Sequence, residues 1–244
     1  VCTFLGLIVL AIFIGNILID GLARIDWDFM KSLPSRKSEK AGIFTAWTGS
    51  LWILSFTTLI AFPLGVAAGV YLEEYGKKSR LSSILEVNIS NLAGVPSIIY
   101  GLLGLEIFVR VFKMGNSVLA GAFTLALLIL PIIIVATREA IRAVPPSIRA
   151  ASYGLGATKW QTIWHQVLPG AFGGILTGVI LAISRAVGET APLIVVGALA
   201  YVPFAPSSPM DEFTVMPIQI FNWVSRPQHG FTVNAAAAII ILLI

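Results

Sequence analysis

Two ionisable residues, Arg185 and Glu189, lie in an otherwise apolar stretch, residues 169–199. A charge at the centre of a bilayer costs at least about 2.5–3.5 kcal/mol on insertion scales, so it normally faces a partner or an aqueous path. The two residues are four apart, which places them on one face of a helix, where they can neutralise each other. Gly188 and Pro192 predict a local break in this helix, with backbone groups freed to face a cavity.

The Arg185–Glu189 pair has two chemical interpretations. A guanidinium matches the oxygens of a tetrahedral oxyanion in a bidentate way, so Arg185 can line an anion path while Glu189 prevents permanent tight binding. Alternatively, the pair is an internal salt bridge that pins two helices and contacts no substrate. Thr190, Ser97 and Asn91 are further candidate contacts along such a path. The residue types leave both interpretations open.

The composition indicates what kind of chain positions this pair. Hydrophobic residues make up 57% of the 244 residues, charged residues make up 11%, and the mean hydropathy is +0.91. A soluble domain is about one quarter charged, so a chain this apolar needs lipid around it. Backbone groups in lipid must bond internally, which predicts helices. Six apolar segments can be drawn, at residues 1–19, 45–72, 84–111, 117–136, 169–199 and from 232 onward.

Charge and cysteine content exclude other classes. The net charge of +4 comes from lysines and arginines that punctuate apolar segments, so we expect no nucleic-acid binding. Cys2 is the one cysteine, and His165 and His229 have no metal-ligand spacing, so we expect no disulfide and no metal site. The lysines and arginines of alternate connections number 8 and 7, which leaves the orientation in the membrane undecided by charge.

A charged stretch of about 30 residues, residues 138–169, is predicted to form two short helices with a sharp corner. Pro145-Pro146 ends the preceding helix, and Ser147 is the candidate N-cap of the first short helix. Gly156 supplies the backbone freedom that the corner requires. Such a rigid element could receive force from another protein.

The second short helix is predicted to start at a Thr158 cap and to end at Leu168-Pro169, where the next span begins. Small residues at Ala150 and Ala151 would let another surface approach closely. The expected contact residues are Arg149, Ala150, Ala151, Gly154, Gly156, Thr158, Lys159, Leu168 and Pro169.

The segment AASYGLGATKWQTIWHQVLP, residues 150–169, resembles the EAA loop of ABC importer permeases. In that pattern EAA is followed by three residues, Gly, nine residues and Ile-x-Leu-Pro, and the sequence keeps the Gly and the Leu-Pro. It departs from the pattern in three places, with Ala150 for Glu, Ser152 for the second Ala and Gln166 for Ile. The resemblance implies that this loop docks an ATPase and is cytoplasmic, with residues 201–231 on the opposite side.

Three more segments are similar to phosphate-specific importer permeases of the A type: SRAVGETAPL (residues 184–193), AGVPSIIYGLLG (93–104) and FPLGVAAGVYLEEY (62–75). The resemblance extends over essentially the whole chain from residue 42. In that family the Arg and Glu of the first motif are implicated in phosphate translocation, and here they are Arg185 and Glu189. Sulfate and molybdate permeases have a related motif in which Phe-Gly typically follows the Glu.

The resemblance implies an all-α, polytopic, six-helix permease with the type I ABC importer (MetI-like) fold, formed by residues 1–244 as one transmembrane domain. The implied partners are a second homologous permease subunit, a cytosolic ATPase dimer that holds ATP and Mg²⁺, an external phosphate-binding protein and membrane lipids. The implied location is the cytoplasmic membrane of a prokaryote. The sequence has no Gly-x-x-x-x-Gly-Lys-[Ser/Thr] loop, so we expect no cofactor and no hydrolysis on this chain.

Other functions remain as alternatives. A secondary transporter or channel could use Arg185 and Glu189 for an oxyanion, and an ABC permease could carry sulfate or molybdate. An intramembrane enzyme would need paired carboxylates or a Ser-His set, and the spans contain neither. The sequence begins without Met in one apolar run and stops in another, so we expect the natural protein to extend further.

Two shorter patterns also make predictions. Met216–Val224 is predicted to be a short helix at the membrane interface with Trp223 as its anchor, with an ordinary loop as the alternative. Glycines spaced by four, in residues 65–69 and 170–178, predict close helix packing.

Overall fold

The computed structural model describes residues 2–76, 80–198 and 201–244, and the regular structure in these ranges is entirely helical. The predicted end of the fifth segment, residue 199, lies outside the described residues. The α-helices are α1 (Cys2–Gly21), α2 (Trp27–Lys31), α3 (Phe44–Val70), α4 (Arg80–Leu92), α5 (Ser97–Gly104), α6 (Val118–Arg142), α7 (Pro146–Gly154), α8 (Lys159–Thr162), α9 (Leu168–Val187), α10 (Ala191–Val196), α11 (Met216–Val224) and α12 (His229–Leu243). Wider π-helical turns occupy Tyr71–Tyr75, Leu105–Val111 and Ile163–Val167, and 3-10 turns occupy Leu22–Arg24 and Ser38–Lys40.

Four helical stretches are long and apolar enough to cross a membrane: Thr3–Arg24, Phe44–Tyr75, Val118–Arg142 and Lys159–Val187. The pair Ile84–Leu92 and Ser97–Val111 is bent by 97° and adds a fifth span if it is counted as one. α12 is a shorter apolar helix. All six predicted segments are therefore helical, and the all-α class is confirmed.

The helices α3, α6 and α9 form the centre of the bundle, and the predicted glycine faces let them approach closely. A Cβ atom at Gly65 would lie 2.6 Å from Ile133 Cγ2 of α6, and one at Gly174 would lie 2.8 Å from Ala140 Cβ. These distances leave no room for a side chain, so both glycine faces pack against α6.

Residues 201–215 lie at the end of the bundle where α3 and α6 begin. The Val118 backbone N–H donates to the Asp211 carbonyl, and the Met216 backbone N–H donates to Ser50 Oγ at 2.9 Å. The short helix α7 and the corner that follows lie at the opposite end, where α6 ends and α9 approaches. The connections that were predicted to face opposite sides of the membrane are thus at opposite ends of the molecule.

The short helix predicted at Met216–Val224 is present as α11, but the prediction for its tryptophan is wrong. Trp223 is 1% exposed and packs between Phe29 and Phe231, with ring centroids 5.9 and 6.5 Å away. Its face of α11 is buried against α2 and α12, so the indole stabilises this end of the protein and does not face lipid.

Candidate functional site

The membrane part of the site is a break between α9 and α10. α9 ends at Val187, Gly188 caps it, and α10 begins at Ala191 with Pro192 in its first turn. The Gly188 N–H and the Glu189 N–H turn back to the carbonyls of the last turn of α9, at 3.3 and 3.2 Å. The local break that glycine and proline predicted is therefore confirmed.

Arg185 and Glu189 meet at this break. The Arg185 Nε atom donates to Glu189 Oε1 at 3.4 Å, and the two side chains are 40% and 16% exposed. Thr190 lies beside them and donates to the Gly188 carbonyl at 3.5 Å. The contact is long and partly open, so it holds the carboxylate near the guanidinium without occupying the whole guanidinium.

A bent helix pair lies against this break. Gly101 of α5 packs so closely on Pro192 that a Cβ atom there would lie 2.7 Å from the Pro192 Cα. Tyr100, the preceding residue, is a buried side chain of the same helix. Ser97 is the first residue of α5, one turn before Tyr100. The role predicted for Ser97 stays a prediction. Tyr100 was not predicted from the sequence, because a lone tyrosine four residues after Pro96 gives no signal of its partner.

The second part of the site is the corner between α7 and α8. Gly156 has φ +84°, a left-handed conformation, and its N–H bonds to the Tyr153 carbonyl at 2.9 Å. The Ala157 N–H bonds to the Ser152 carbonyl at 3.2 Å, which completes a Schellman turn. Thr158 caps α8 in a reciprocal capping box with Gln161. The conformational predictions for Gly156 and Thr158 are confirmed.

Two predicted boundaries in this region are wrong. Ser147 does not cap α7, because the helix begins two residues earlier than predicted, with Pro145 as N-cap and Pro146 in the first turn. Proline suits that position, because its fixed φ matches a helix and the backbone N–H that it lacks would have no hydrogen-bond partner there. Leu168-Pro169 does not end a helix either, because Lys159–Val187 is one continuous helix. The wider turn Ile163–Val167 precedes Pro169 and accommodates it.

The departure from the EAA pattern at Ser152 has a structural reason. Ser152 is buried, and its Oγ lies 2.8 Å from Thr162 Oγ1 across the corner. This hydrogen bond ties α7 to α8. The Ala151 and Gly154 positions remain exposed or open, and Leu155 at the tip is 91% exposed. A cleft of about 680 Å³ opens beside them, between the two short helices.

The cations predicted to reach an ATPase bind within this chain. Arg149 donates from Nε and Nη2 to Glu74 Oε1 at 3.0 and 2.8 Å, and also to the carbonyls of Val144 and Ile141. The Lys159 ammonium donates to the Glu74 carbonyl and lies 4.7 Å above the Tyr75 ring. Direct contact of these cations with another protein therefore stays a prediction, while the structure uses them to fix α7 and α8 to the end of the second span.

Further ion pairs join the same end of three helices. Arg138, only 7% exposed, pairs with Glu73 at 3.3 Å and with Glu86 at 2.9 Å. Arg142 pairs with the same two carboxylates at 2.9 and 3.1 Å. α4 is thereby attached to α6 immediately before the short helices. Sequence spacing did not predict these partners, which are more than 50 residues apart.

We expect Arg149→Lys to loosen α7 without unfolding the bundle. A lysine offers one ammonium with three donors in place of the planar fork, so at least one of the four hydrogen bonds is lost. Hydrogen bonds to charged groups are worth about 1.5–3 kcal/mol each, less for a partly exposed pair, so we expect a total loss of about 2 kcal/mol. Thermal unfolding in detergent should then begin roughly 4–8 °C lower. Arg110→Lys is the matched control, because Arg110 is 65% exposed and, within the described residues, its ion pair is with Glu106 one turn away.

Residues 61–244 match the family described as binding-protein-dependent transport system inner membrane components. The chain belongs to this family of permeases. The probable ABC transporter permease protein YqgI of Bacillus subtilis is 31% identical over 96% of this chain and 86% of its own length. The phosphate transport system permease protein PstA of Haemophilus influenzae is 34% identical over 93% of this chain and 79% of its own length. PstA 1 of Mycobacterium tuberculosis is 36% identical over 83% of this chain and 66% of its own length.

Membership of the permease family confirms the fold predicted from the sequence, an all-α ABC importer permease fold of the type I class. The permease is a multi-pass membrane protein, and its family supplies transmembrane components rather than enzymes. The matched residues 61–244 include both the Arg185–Glu189 break and the corner at Gly156.

Proposed function

We propose that the chain is a permease subunit of an ATP-driven importer of inorganic phosphate in the cytoplasmic membrane of a prokaryote. The observation that carries the proposal is the Arg185–Glu189 pair at a helix break, with the guanidinium 40% exposed. The relatives from Haemophilus influenzae and Mycobacterium tuberculosis, both named phosphate transport permeases, support phosphate as the cargo.

The chemistry of the pair suits transient contact with an oxyanion. Glu189 engages Arg185 through Nε, and the fork formed by Nη1 and Nη2 has the geometry that matches two oxygens of phosphate. The carboxylate also repels the anion, so phosphate would be attracted but not retained. Thr190 adds a hydroxyl beside the pair. Ser97 is proposed as a further contact on the same path.

Force for transport would come from a cytosolic ATPase dimer that binds ATP and Mg²⁺ and docks at the corner of α7 and α8. The exposed positions Ala150, Ala151 and Leu155 and the adjacent cleft offer a surface for it. We infer that this end is cytoplasmic and that residues 201–231 face outward, toward an external phosphate-binding protein. A second homologous permease subunit would complete the path, with lipid around the remaining apolar surface.

The proposal is tested with the complex purified through a tag on this chain and reconstituted in vesicles. We expect phosphate, delivered with the copurified binding protein, to stimulate ATP hydrolysis and to accumulate in an ATP-dependent way, with sulfate and molybdate inactive. Stimulation by sulfate or molybdate alone would identify a different oxyanion importer. Uptake driven by an ion gradient, in vesicles without the ATPase, would instead identify a secondary transporter.

A further inference from the structure

The bend between α4 and α5 is held by a side-chain hydrogen bond. Gly94 and Val95 turn the chain, Pro96 caps α5, and the two helices meet at 97°. The Tyr100 hydroxyl reaches back across the bend and donates to the Leu92 carbonyl at 2.8 Å. Tyr100 is 9% exposed and the hydrogen bond is partly buried, so water would compensate only in part for its loss.

The same residue lies next to the Arg185 site. Gly101, the residue after Tyr100, is in tight contact with Pro192, three residues after Glu189. A change in the angle of α5 would therefore press on α10 and shift the break that carries the ion pair. Packing of this density transmits small displacements, because it leaves no gap to absorb them.

The other end of α4 is attached to the end of the molecule that carries α7 and α8, which we call the coupling end. Glu86 of α4 pairs with Arg138 and Arg142 of α6, and α6 leads directly into α7. Six residues further along α4, the Leu92 carbonyl accepts the Tyr100 hydroxyl. α4 thus connects the coupling end of α6 to the bend, and Tyr100 connects the bend to the Arg185 site.

We infer that Tyr100 is a positioning residue of the anion path: its hydroxyl fixes the bend between α4 and α5 and, through α5, places Arg185 and Glu189. This inference rests on the proposed function, because it assigns a role within the same phosphate path. The phenyl ring alone fills the space between the helices. The hydroxyl makes the hydrogen bond to Leu92 and the ring belongs to the apolar core, so their contributions can be separated experimentally.

The first test compares Tyr100→Phe with wild type in the complete importer. We expect phosphate uptake per assembled complex to fall about five-fold, the effect of losing one neutral hydrogen bond, with unchanged subunit assembly and a thermal midpoint only about 2–4 °C lower. Tyr71→Phe is the matched control, because Tyr71 is 64% exposed and the substitution keeps its ring, and we expect normal uptake. Normal uptake by Tyr100→Phe, or a loss that only follows reduced assembly, would overturn the inference.

The second test asks whether Tyr100 acts through Arg185. Arg185→Lys keeps the charge but loses the fork, and it should leave measurable residual uptake. If Tyr100 positions the guanidinium, Tyr100→Phe should have less than a two-fold effect in the Arg185→Lys background, by the logic of a double-mutant cycle. A full five-fold effect in both backgrounds would mean independent action and would overturn the inference. Wild-type complexes that take up no phosphate would refute the proposed function itself, and the inference with it.

Discussion

Arg185→Ala is expected to abolish phosphate uptake while the chain still inserts and assembles with its partners. The guanidinium is 40% exposed, and among the described residues its hydrogen bond is the 3.4 Å contact with Glu189, so its removal leaves the packing of α9 intact. Two charge-assisted hydrogen bonds to the anion are worth about 1.5–3 kcal/mol each, so the transport rate should fall at least about 100-fold. Uptake of labelled phosphate into vesicles, normalised to assembled complex, measures this loss.

Arg110→Ala provides the comparison for Arg185. Arg110 also pairs with a glutamate four residues away, Glu106, but both side chains are more than 60% exposed. An exposed pair of this kind contributes roughly 0.3–0.5 kcal/mol, so uptake should stay near normal. If Arg185→Ala also transported normally, the pair would be only an internal salt bridge, and the anion-path role would be refuted.

Gly156→Val is expected to disconnect ATP hydrolysis from uptake. Gly156 has φ +84°, and a β-branched residue in the left-handed region costs about 1–3 kcal/mol. The Schellman turn at the corner would open, and α7 would lose its fixed angle to α8. The expected results are weaker copurification of the ATPase and a loss of phosphate-stimulated hydrolysis, both measured on the purified complex.

Gly115→Val is the control that distinguishes the effect of backbone strain from the effect of the location of Gly156. Gly115 has φ +65°, and a Cβ atom there, as at Gly156, would meet nothing within 4 Å, but it lies in the connection before α6, at the opposite end. Its substitution should cost similar stability and leave ATPase association unchanged. Gly156→Asn should recover much of the activity, since Asn tolerates the left-handed conformation. Equal ATPase loss in both valine variants would contradict the docking assignment.

The local conformation of the coupling corner can be predicted from sequence because it depends on neighbouring residues. A glycine for a left-handed turn and a threonine for an N-cap act within four residues, and both are found as expected. The prediction for Ser147 is wrong because Pro146 competes for the start of the same helix and occupies its first turn. The boundary error is two residues and leaves the corner unchanged.

Long-range partners could not be predicted, because helical spacing fixes a face but not what lies against it. Arg149 is expected from sequence to face an ATPase, yet it binds Glu74, which lies 75 residues earlier in the chain. Composition places Trp223 at the membrane interface, and only the three-dimensional packing places it against Phe29. The role of Tyr100 could not be predicted from the sequence for the same reason, since the Leu92 carbonyl that accepts its hydroxyl lies across the bend.

The second span, Phe44–Tyr75, is one helical stretch that reaches from one end of the molecule to the other. At one end Glu74 holds Arg149 and Lys159, and at the other Ser50 holds the start of α11. A continuous helix of 32 residues is about 48 Å long, so a tilt of about 5° about one end moves the other by roughly 4 Å. If ATP binding moves the Glu74 end of this span, as the proposed function requires, the Ser50 end would be displaced by about 4 Å.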